Sequence, residues 1–256
     1  MKTVILAGGH GRRFQYEQSY LPKPLVEIAS KPLLSHVMEV FATQGFTEFL
    51  VALGYGAAAV KDYFLHFCER HNDLTVRLAT GESTVYPQAA PAWTIHLIDT
   101  GPETASGGRL RRMRDWLKAE ERFFVAYCDG LANIDLAALL EFHRSRGKLV
   151  TMTAVHPPGR FGLVGWDGDS IKDFREKPPN GQDWINGGFF VVERTVLDLI
   201  EQDNVSWERH LLPKLAKQGE LAGFRHEGFF AAVDTPKDRE AMEELRASGA
   251  APWSRP

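Results

Sequence analysis

Three glycines within four residues, set directly behind a short apolar run, constrain this chain more than any other feature. The stretch reads VILAGGHGRRF from Val4 to Phe14. Val4 to Ala7 predicts a short buried strand. Gly8, Gly9 and Gly11 strip side chains from the turn that follows, so the backbone is free to adopt positive φ and a ligand is free to approach main-chain N–H groups. Successive N–H groups directed into one concavity bind anions. Arg12 and Arg13 lie on the rim of that loop, and Lys23 follows between Pro22 and Pro24. Arginine offers a planar fork of donors and lysine a compact charge. A glycine loop with cationic arms at a strand end points to a nucleoside triphosphate; a tight turn with solvated arginines is the alternative. Two common phosphate patterns are absent. GGHGRRF is not GxxxxGK[ST], and the adjacency of Gly8 and Gly9 breaks GxGxxG, which disfavours a nicotinamide oxidoreductase.

Alternation continues beyond the loop. Leu33, Leu34, Val37, Val40 and Phe41 make a helical stripe that starts at Ser30-Lys31-Pro32 and ends at Gly45. Phe49 to Leu53 reads as a second strand, and Gly54-Tyr55-Gly56 leads into an Ala-rich helix through Cys68. Leu74 to Leu78 alternates, and Trp93 to Ile98 is a further strand. Phe123 to Tyr127 and Leu149 to Val155 follow, with Asp135 capping the helix between them. Strand–helix alternation of this kind predicts an α/β fold with a Rossmann-like, mixed but mostly parallel sheet flanked by helices. From His156 the strands shorten and the turns crowd, which reads as a small antiparallel subdomain added to the sheet. Thr195–Gln202 and Ser206–Gln218 read as helices. Leu221–His226 and Phe229–Val233 read as a last strand pair, and Asp234-Thr235-Pro236 opens a final helix. The tail from Ala250 to Pro256 lacks periodicity and is expected to be partly ordered at best. At 256 residues the chain fits one domain.

The net charge of −3 gives no electrostatic footprint for nucleic acid or an anionic membrane. No apolar run approaches the roughly 20 residues of a membrane span, and the N-terminus does not read as a secretion signal. Two cysteines, Cys68 and Cys128, make neither a disulfide framework nor a metal cluster. These features together predict a cytoplasmic protein.

Several further positions carry chemistry, each beside a plainer reading. Arg109 follows Gly107-Gly108 at a loop–helix junction, where N–H groups also gather; Arg111, Arg112 and Arg114 read as a solvated basic face. Asp129 ends a strongly apolar strand and precedes Gly130, a placement that suits magnesium between protein and phosphates, or a simple Asp-Gly turn. Cys128 beside it reads as buried packing. Arg175-Glu176-Lys177-Pro178 ends a strand with an acid and a base side by side, or is an exposed turn. Asn186-Gly187-Gly188 starts the strand WINGGFFVV, or marks a bulge. Asp234 is either a ligand or an acid in an N-cap region.

Taken together, LAGGHGRR, LPKPLVEI, YCDG, REKP, INGGFFV and VDTP resemble the sugar-1-phosphate nucleotidyltransferases, whose signature is GGxGTRL followed by PKP. Whole-chain register, including IHLIDTG, SGGRLRR, HPPGRFG, QGEL and APW, draws the likeness toward the glucose-1-phosphate cytidylyltransferase branch. Arg12 stands where the family has threonine, Phe14 where it has leucine and Cys128 where it has glycine. The resemblance implies a magnesium-assisted transfer of a cytidylyl group from CTP to a sugar 1-phosphate, with a CDP-sugar and pyrophosphate as products. It implies that Arg13 and Lys23 act on the phosphates. Leu6, Ala7, Gly8, Gly9, His10, Gly11, Arg12, Thr104, Arg109 and Cys128 would surround the nucleotide with them. Asp129 and Asp234 would hold the metal. Glu176, Lys177, Asn186 and Gly187 would take the sugar phosphate. On this reading residues 1–155 form the nucleotide-binding core of a single domain, 156–235 the sugar-phosphate part and 236–256 a closing helix and tail, and the chain forms a homo-oligomer. Two rivals stay open: another phosphorylated acceptor, or a nucleotide-sugar-binding homologue with weak turnover.

Overall fold

Val4 and Ile5 are adjacent and both fully buried, yet they belong to opposite faces of one sheet. Period-2 alternation does this throughout: Phe124 and Ala126 join Ile5, while Phe123 and Val125 join Val4. The computed structural model describes residues 1–9, 21–87, 90–156, 163–167, 169–175 and 184–254. Its central sheet holds β1 (Thr3–Ala7), β2 (Glu48–Leu53), β3 (Thr94–Asp99), β4 (Arg122–Tyr127), β5 (Val150–Val155), β6 (Ile185–Glu193) and β7 (Leu221–His226). The spatial order is β7-β5-β6-β4-β1-β2-β3. Only β6 runs against its neighbours β4 and β5; the β1–β2, β2–β3, β1–β4 and β5–β7 pairs are parallel. The expected mostly parallel sheet is therefore present.

Helices cover both faces. One face carries α1 (Leu33–Ala42), α2 (Ala57–Leu65), α5 (Leu136–Arg146) and α7 (Pro236–Ala247), through residues such as Leu34, Phe41, Leu139 and Met242. The other carries α4 (Ser106–Arg112) and α6 (Leu212–Lys217), through Leu110, Leu212 and Leu215. The short α3 (Phe67–His71) follows α2 after a break at His66, where the expected single helix through Cys68 divides. The chain order reverses direction between β1, whose successors run toward β3, and β4 on its other side. Ligands of open α/β sheets bind outside the carboxyl ends of strands at such a point.

Local expectations changed in several places. Ser30-Lys31-Pro32 does not open a helix. Glu27–Ile28 pairs with Lys31–Pro32 through Ala29 and Ser30, both at positive φ, and α1 begins only at Leu33. A two-residue turn of this kind matches strand twist better than helix entry. The 74–78 segment is a strand, Asp73–Arg77, but it pairs with Glu82–Tyr86 outside the central sheet and all five of its residues are exposed. Arg194–Leu199 is a 3₁₀ helix, and the 206–218 stretch divides into a π-helical turn, Trp207–Leu211, and α6. The supposed last strand pair does not pair with itself. β7 lies beside β5, and Phe230–Ala232 pairs with Gly130–Ala132. The antiparallel segments also separate: β6 enters the central sheet, whereas Leu163–Asp167 and Ser170–Arg175 pair only with each other. Of the tail, residues 250–254 are described, and Trp253 among them is packed rather than loose. Trp253 is 1% exposed and stacks on Phe229 at 5.6 Å, because a large aromatic surface finds a slot that no periodicity announces.

Candidate active site

The apolar composition of β1 and β4 buries both strands, so the polar residues just past their carboxyl ends emerge side by side. Gly8 and Gly9 follow β1, and Cys128 and Asp129 follow β4. The short pairing of Gly130–Ala132 with Phe230–Ala232 then carries the chain's last strand across to the same place, and Val233 N donates to Asp129 O at 2.9 Å. Asp234 is thereby brought next to Asp129.

Lys23 meets both. It opens a 3₁₀ turn, Lys23–Leu25, whose entry is set by Pro22 at φ −64° and ψ 143° and whose interior is set by Pro24. Its Nζ donates to Asp129 Oδ2 and Asp234 Oδ1, each at 2.6 Å, and its side chain is 13% exposed. Burial alone would pull the ammonium pKa down. The Asp129 charge and the two carboxylate hydrogen bonds outweigh that and hold it above the ordinary lysine value. The lysine is charged at neutral pH, in a fixed position.

Asp234 is not the cap of the helix it precedes. Thr235 is the N-cap of α7, in a capping box with Asp238, whose carboxylate also accepts from Asp234 N. That arrangement leaves the Asp234 side chain directed at Lys23.

These groups open into a cavity of about 610 Å³. Leu6, Ala7, Gly8, Gly9 and Lys23 line it from one side of the switch point; Cys128, Asp129 and Asp234 line it from the other, and Thr104 and Arg109 close a third wall. The Cys128 thiol, buried and beside Asp129, is pushed up to about 12, so it stays protonated and unreactive. Arg109 is 5% exposed, and its terminal nitrogens are directed to main-chain acceptors and Thr100.

Residues 2–220 match the nucleotidyl transferase family. The chain belongs to that family. A glucose-1-phosphate cytidylyltransferase from Salmonella typhi is 41% identical to it over 253 residues, which are 99% of this chain and 98% of the other. A probable glucose-1-phosphate cytidylyltransferase from Bacillus subtilis is 38% identical over 254 residues, 99% of each chain. The crystal structure of HddC from Yersinia pseudotuberculosis superposes with a TM-score of 0.69 at 23% identity, over 96% of this chain and 99% of that one, and shares the fold.

As a nucleotidyl transferase, the chain collects most of its expected site residues in one cavity, though not all. Asn186 and Gly187 do not line it. Gly187 lies at the irregularity where β6 slips against β5 between Met152 and Ala154, which matches the bulge reading of this glycine pair. Asn186 Nδ2 donates to the Tyr127 hydroxyl at 3.1 Å, and Tyr127 does line the cavity. His10, Gly11, Arg12, Arg13, Glu176 and Lys177 lie outside the described residues.

Other wall residues escaped the sequence reading. Tyr127 ends β4, and its place at a strand's carboxyl end is the signal that could have found it. Burial, then the Glu208 charge and hydrogen bond, push its hydroxyl well above the usual tyrosine range. Glu208 sits on the π-helical turn and accepts from Ser106 Oγ at 2.6 Å. Nothing in the local sequence separates it from other helix-face acids, although π-helical turns often mark functional sites.

Proposed function

We propose that this nucleotidyl transferase moves the cytidylyl group of CTP onto a sugar 1-phosphate, with glucose 1-phosphate as acceptor, and yields a CDP-sugar and pyrophosphate. The observation that carries the reaction type is the Lys23 ammonium held by Asp129 and Asp234 in the cavity that Gly8 and Gly9 also line. The base and the acceptor rest on full-length likeness to two glucose-1-phosphate cytidylyltransferases.

The chemistry asks little of proton transfer. A sugar-phosphate oxygen, already ionised at neutral pH, attacks the α-phosphorus. The bond from that phosphorus to the bridging oxygen breaks, and the electron pair leaves on pyrophosphate. The obstacle is repulsion between two anions, so catalysis comes from positioning and charge neutralisation. On this reading the single ammonium of Lys23 serves both the α-phosphate and the incoming phosphate. Gly8 and Gly9 supply main chain on which the triphosphate rests. By sequence correspondence Arg13 takes the departing β,γ-phosphates, while Glu176, Lys177, Asn186 and Gly187 serve the sugar phosphate.

Asp129 and Asp234 fit a magnesium ion. Both are oxygen donors, and both already converge on a single cation, the Lys23 ammonium. Magnesium keeps several waters, so its remaining ligands would come from phosphate and water. Bound there, it would add positive charge at the phosphates.

The test is pyrophosphate release with CTP, UTP, GTP or ATP against a panel of sugar phosphates. CTP with glucose 1-phosphate is expected to exceed the other triphosphates by on the order of 10²-fold or more, since a mismatched base leaves buried polar groups unpaired. Equal rates with UTP would remove the cytidylyl assignment.

A further inference from the structure

We propose that Glu208 is a specificity-determining residue for the acceptor, and that its carboxylate takes hydrogen bonds from ring hydroxyls of the sugar phosphate. The inference rests on the reading of the cavity as a site for a nucleoside triphosphate and a sugar phosphate.

Main-chain docking delivers Glu208 to the cavity. Ala105 N donates to Asp203 O at 2.9 Å, and Gly108 N donates to Val205 O at 3.1 Å. A β-carbon on Gly107 would collide with Val205 O, and one on Gly108 with Asp203 O, so residues 203–205 lie flush against the first turn of α4. Trp207 then anchors the π-helical turn. It is fully buried and packs edge-on against Phe190 of β6 at 5.5 Å. Glu208, the next residue, is exposed and lines the cavity.

The hydrogen bonds around it all run toward the carboxylate. Trp207 N donates to Ser106 Oγ at 2.9 Å, and that hydroxyl donates to Glu208 Oε2 at 2.6 Å. Arg209 N donates to Ser206 Oγ at 3.1 Å, and that hydroxyl donates to the same oxygen at 3.0 Å. Gly188 N donates to Asn186 Oδ1 at 2.9 Å, Asn186 Nδ2 donates to the Tyr127 hydroxyl at 3.1 Å, and the Tyr127 hydroxyl bonds in turn to Glu208. Each hydroxyl has one hydrogen and spends it on Glu208. Three chains of bonds, from α4, the π-helical turn and β6, therefore end on one side chain.

A carboxylate accepts at about four lone-pair positions and has no hydrogen to give. Three hydroxyls do not fill it, so what docks in front of it must be a donor. A phosphate is repelled there, whereas the hydroxyls of a sugar ring are neutral donors. Lys23 lines the same cavity with the opposite charge. The two groups thus sort the acceptor by its ends, the phosphate toward the ammonium and the ring hydroxyls toward the carboxylate. Asn186, which serves the sugar phosphate by sequence correspondence, is joined to Glu208 through Tyr127, and this places the carboxylate with the acceptor rather than with the ribose of the nucleotide.

The test uses the full chain as wild type, Glu208→Gln and Glu208→Ala. Steady-state pyrophosphate release gives kcat and KM for CTP and for glucose 1-phosphate, then kcat/KM for the monodeoxy analogues of glucose 1-phosphate. In the wild type at least one analogue is expected to fall by about 10²-fold or more, since a site that bonds a hydroxyl rejects the compound lacking it. In Glu208→Ala the penalty on that analogue is expected to shrink to about threefold or less, because glucose 1-phosphate itself loses the contact, while KM for CTP stays within about twofold. Glu208→Gln keeps a carbonyl acceptor and should lie between. Equal losses on glucose 1-phosphate and on every analogue, with the deoxy penalty intact, would make Glu208 a structural brace and overturn the proposal. A raised KM for CTP with a lost preference for CTP over 2′-deoxy-CTP would place the carboxylate at the ribose and overturn it as well. If Glu208→Ala does not fold, Glu208→Gln decides by the same readouts, and an unchanged deoxy penalty overturns the proposal. If the wild type releases pyrophosphate with no sugar phosphate, the reading of the cavity itself fails and the proposal falls with it.

Discussion

Asp234 and Thr235 are adjacent, and the structure assigns them different duties. Thr235 accepts from Asp238 N at 3.2 Å and caps α7, while Asp234 reaches Lys23. Their substitutions should therefore separate stability from turnover. Thr235→Ala is expected to cost about 1 kcal/mol of stability, the usual value of an N-cap, with turnover per folded molecule close to wild type. Asp234→Ala is expected to lower turnover by about 10²–10³, the scale of a lost electrostatic contact at a reacting centre. Its urea midpoint should stay near wild type, because Asp129 still pairs with Lys23. Parallel urea titrations and pyrophosphate assays of the two variants check this. Comparable turnover losses in both would return Asp234 to the role of a helix-start acid.

At the level of elements, one imidazole fastens α5 to two strands, and through Glu193 to a third. His143 is 1% exposed; its Nδ1 meets Thr151 Oγ1 on β5 at 2.8 Å and its Nε2 meets Glu193 Oε1 on β6 at 2.9 Å. Glu193 also accepts from Arg122 on β4 at 2.9 Å. Burial lowers the imidazole pKa; Glu193 opposes this, and Arg122 and Arg144 add to it. Burial would raise the Glu193 carboxyl, but Arg122 and His143 hold it below its ordinary value. Both groups thus bind protons more readily in the unfolded chain. Stability from His143 is present above its unfolded pKa of about 6.5 and is lost as pH falls through that value toward the folded one. The Glu193 contribution follows the same sign below about 4.3. Urea midpoints measured from pH 7.5 down to 5.5 should fall, and His143→Gln should flatten that slope. An equal slope in the variant would place the acid sensitivity elsewhere.

Across the whole molecule, the end of the chain returns to its beginning. Trp253 packs against Phe229 and edge-on against His36 of α1, and its Nε1 donates to His36 Nδ1 at 3.4 Å. His36 in turn holds Ile28 O at 2.9 Å, on the hairpin that follows Lys23. The last residues thus buttress the segment that carries the central lysine. Trp253→Ala is expected to cost about 3–5 kcal/mol, and the thermal midpoint should drop by roughly 10 °C for a chain of this size. Calorimetry on the full-length variant checks it; a shift of a degree or two would mean the tail is merely laid against the surface.

Strand runs such as VILA, EFLVAL and RFFVAY announce themselves, because a strand buried on both faces must be apolar along its whole length. Helix alternation, the glycine loop, the proline-flanked Lys23 and a carboxylate at a strand end are local features, and so they and the mostly parallel α/β architecture were legible from the amino-acid sequence. Partner choice was not. Phe230–Ala232 bonds to Gly130–Ala132 rather than to β7, and only that pairing sets Asp234 against Asp129. Gly8 reads as room for a ligand and Gly54 as a simple turn, yet the guanidinium of Arg109, distant along the chain, takes the space beside both. Glu208 and Trp253 carried no periodic signal, and their positions follow from a π-helical turn and a vacant slot in the core. Composition and spacing determine which segments bury themselves. Which buried segments meet depends on long-range hydrogen bonding and on shape, and these exist only once the chain has folded.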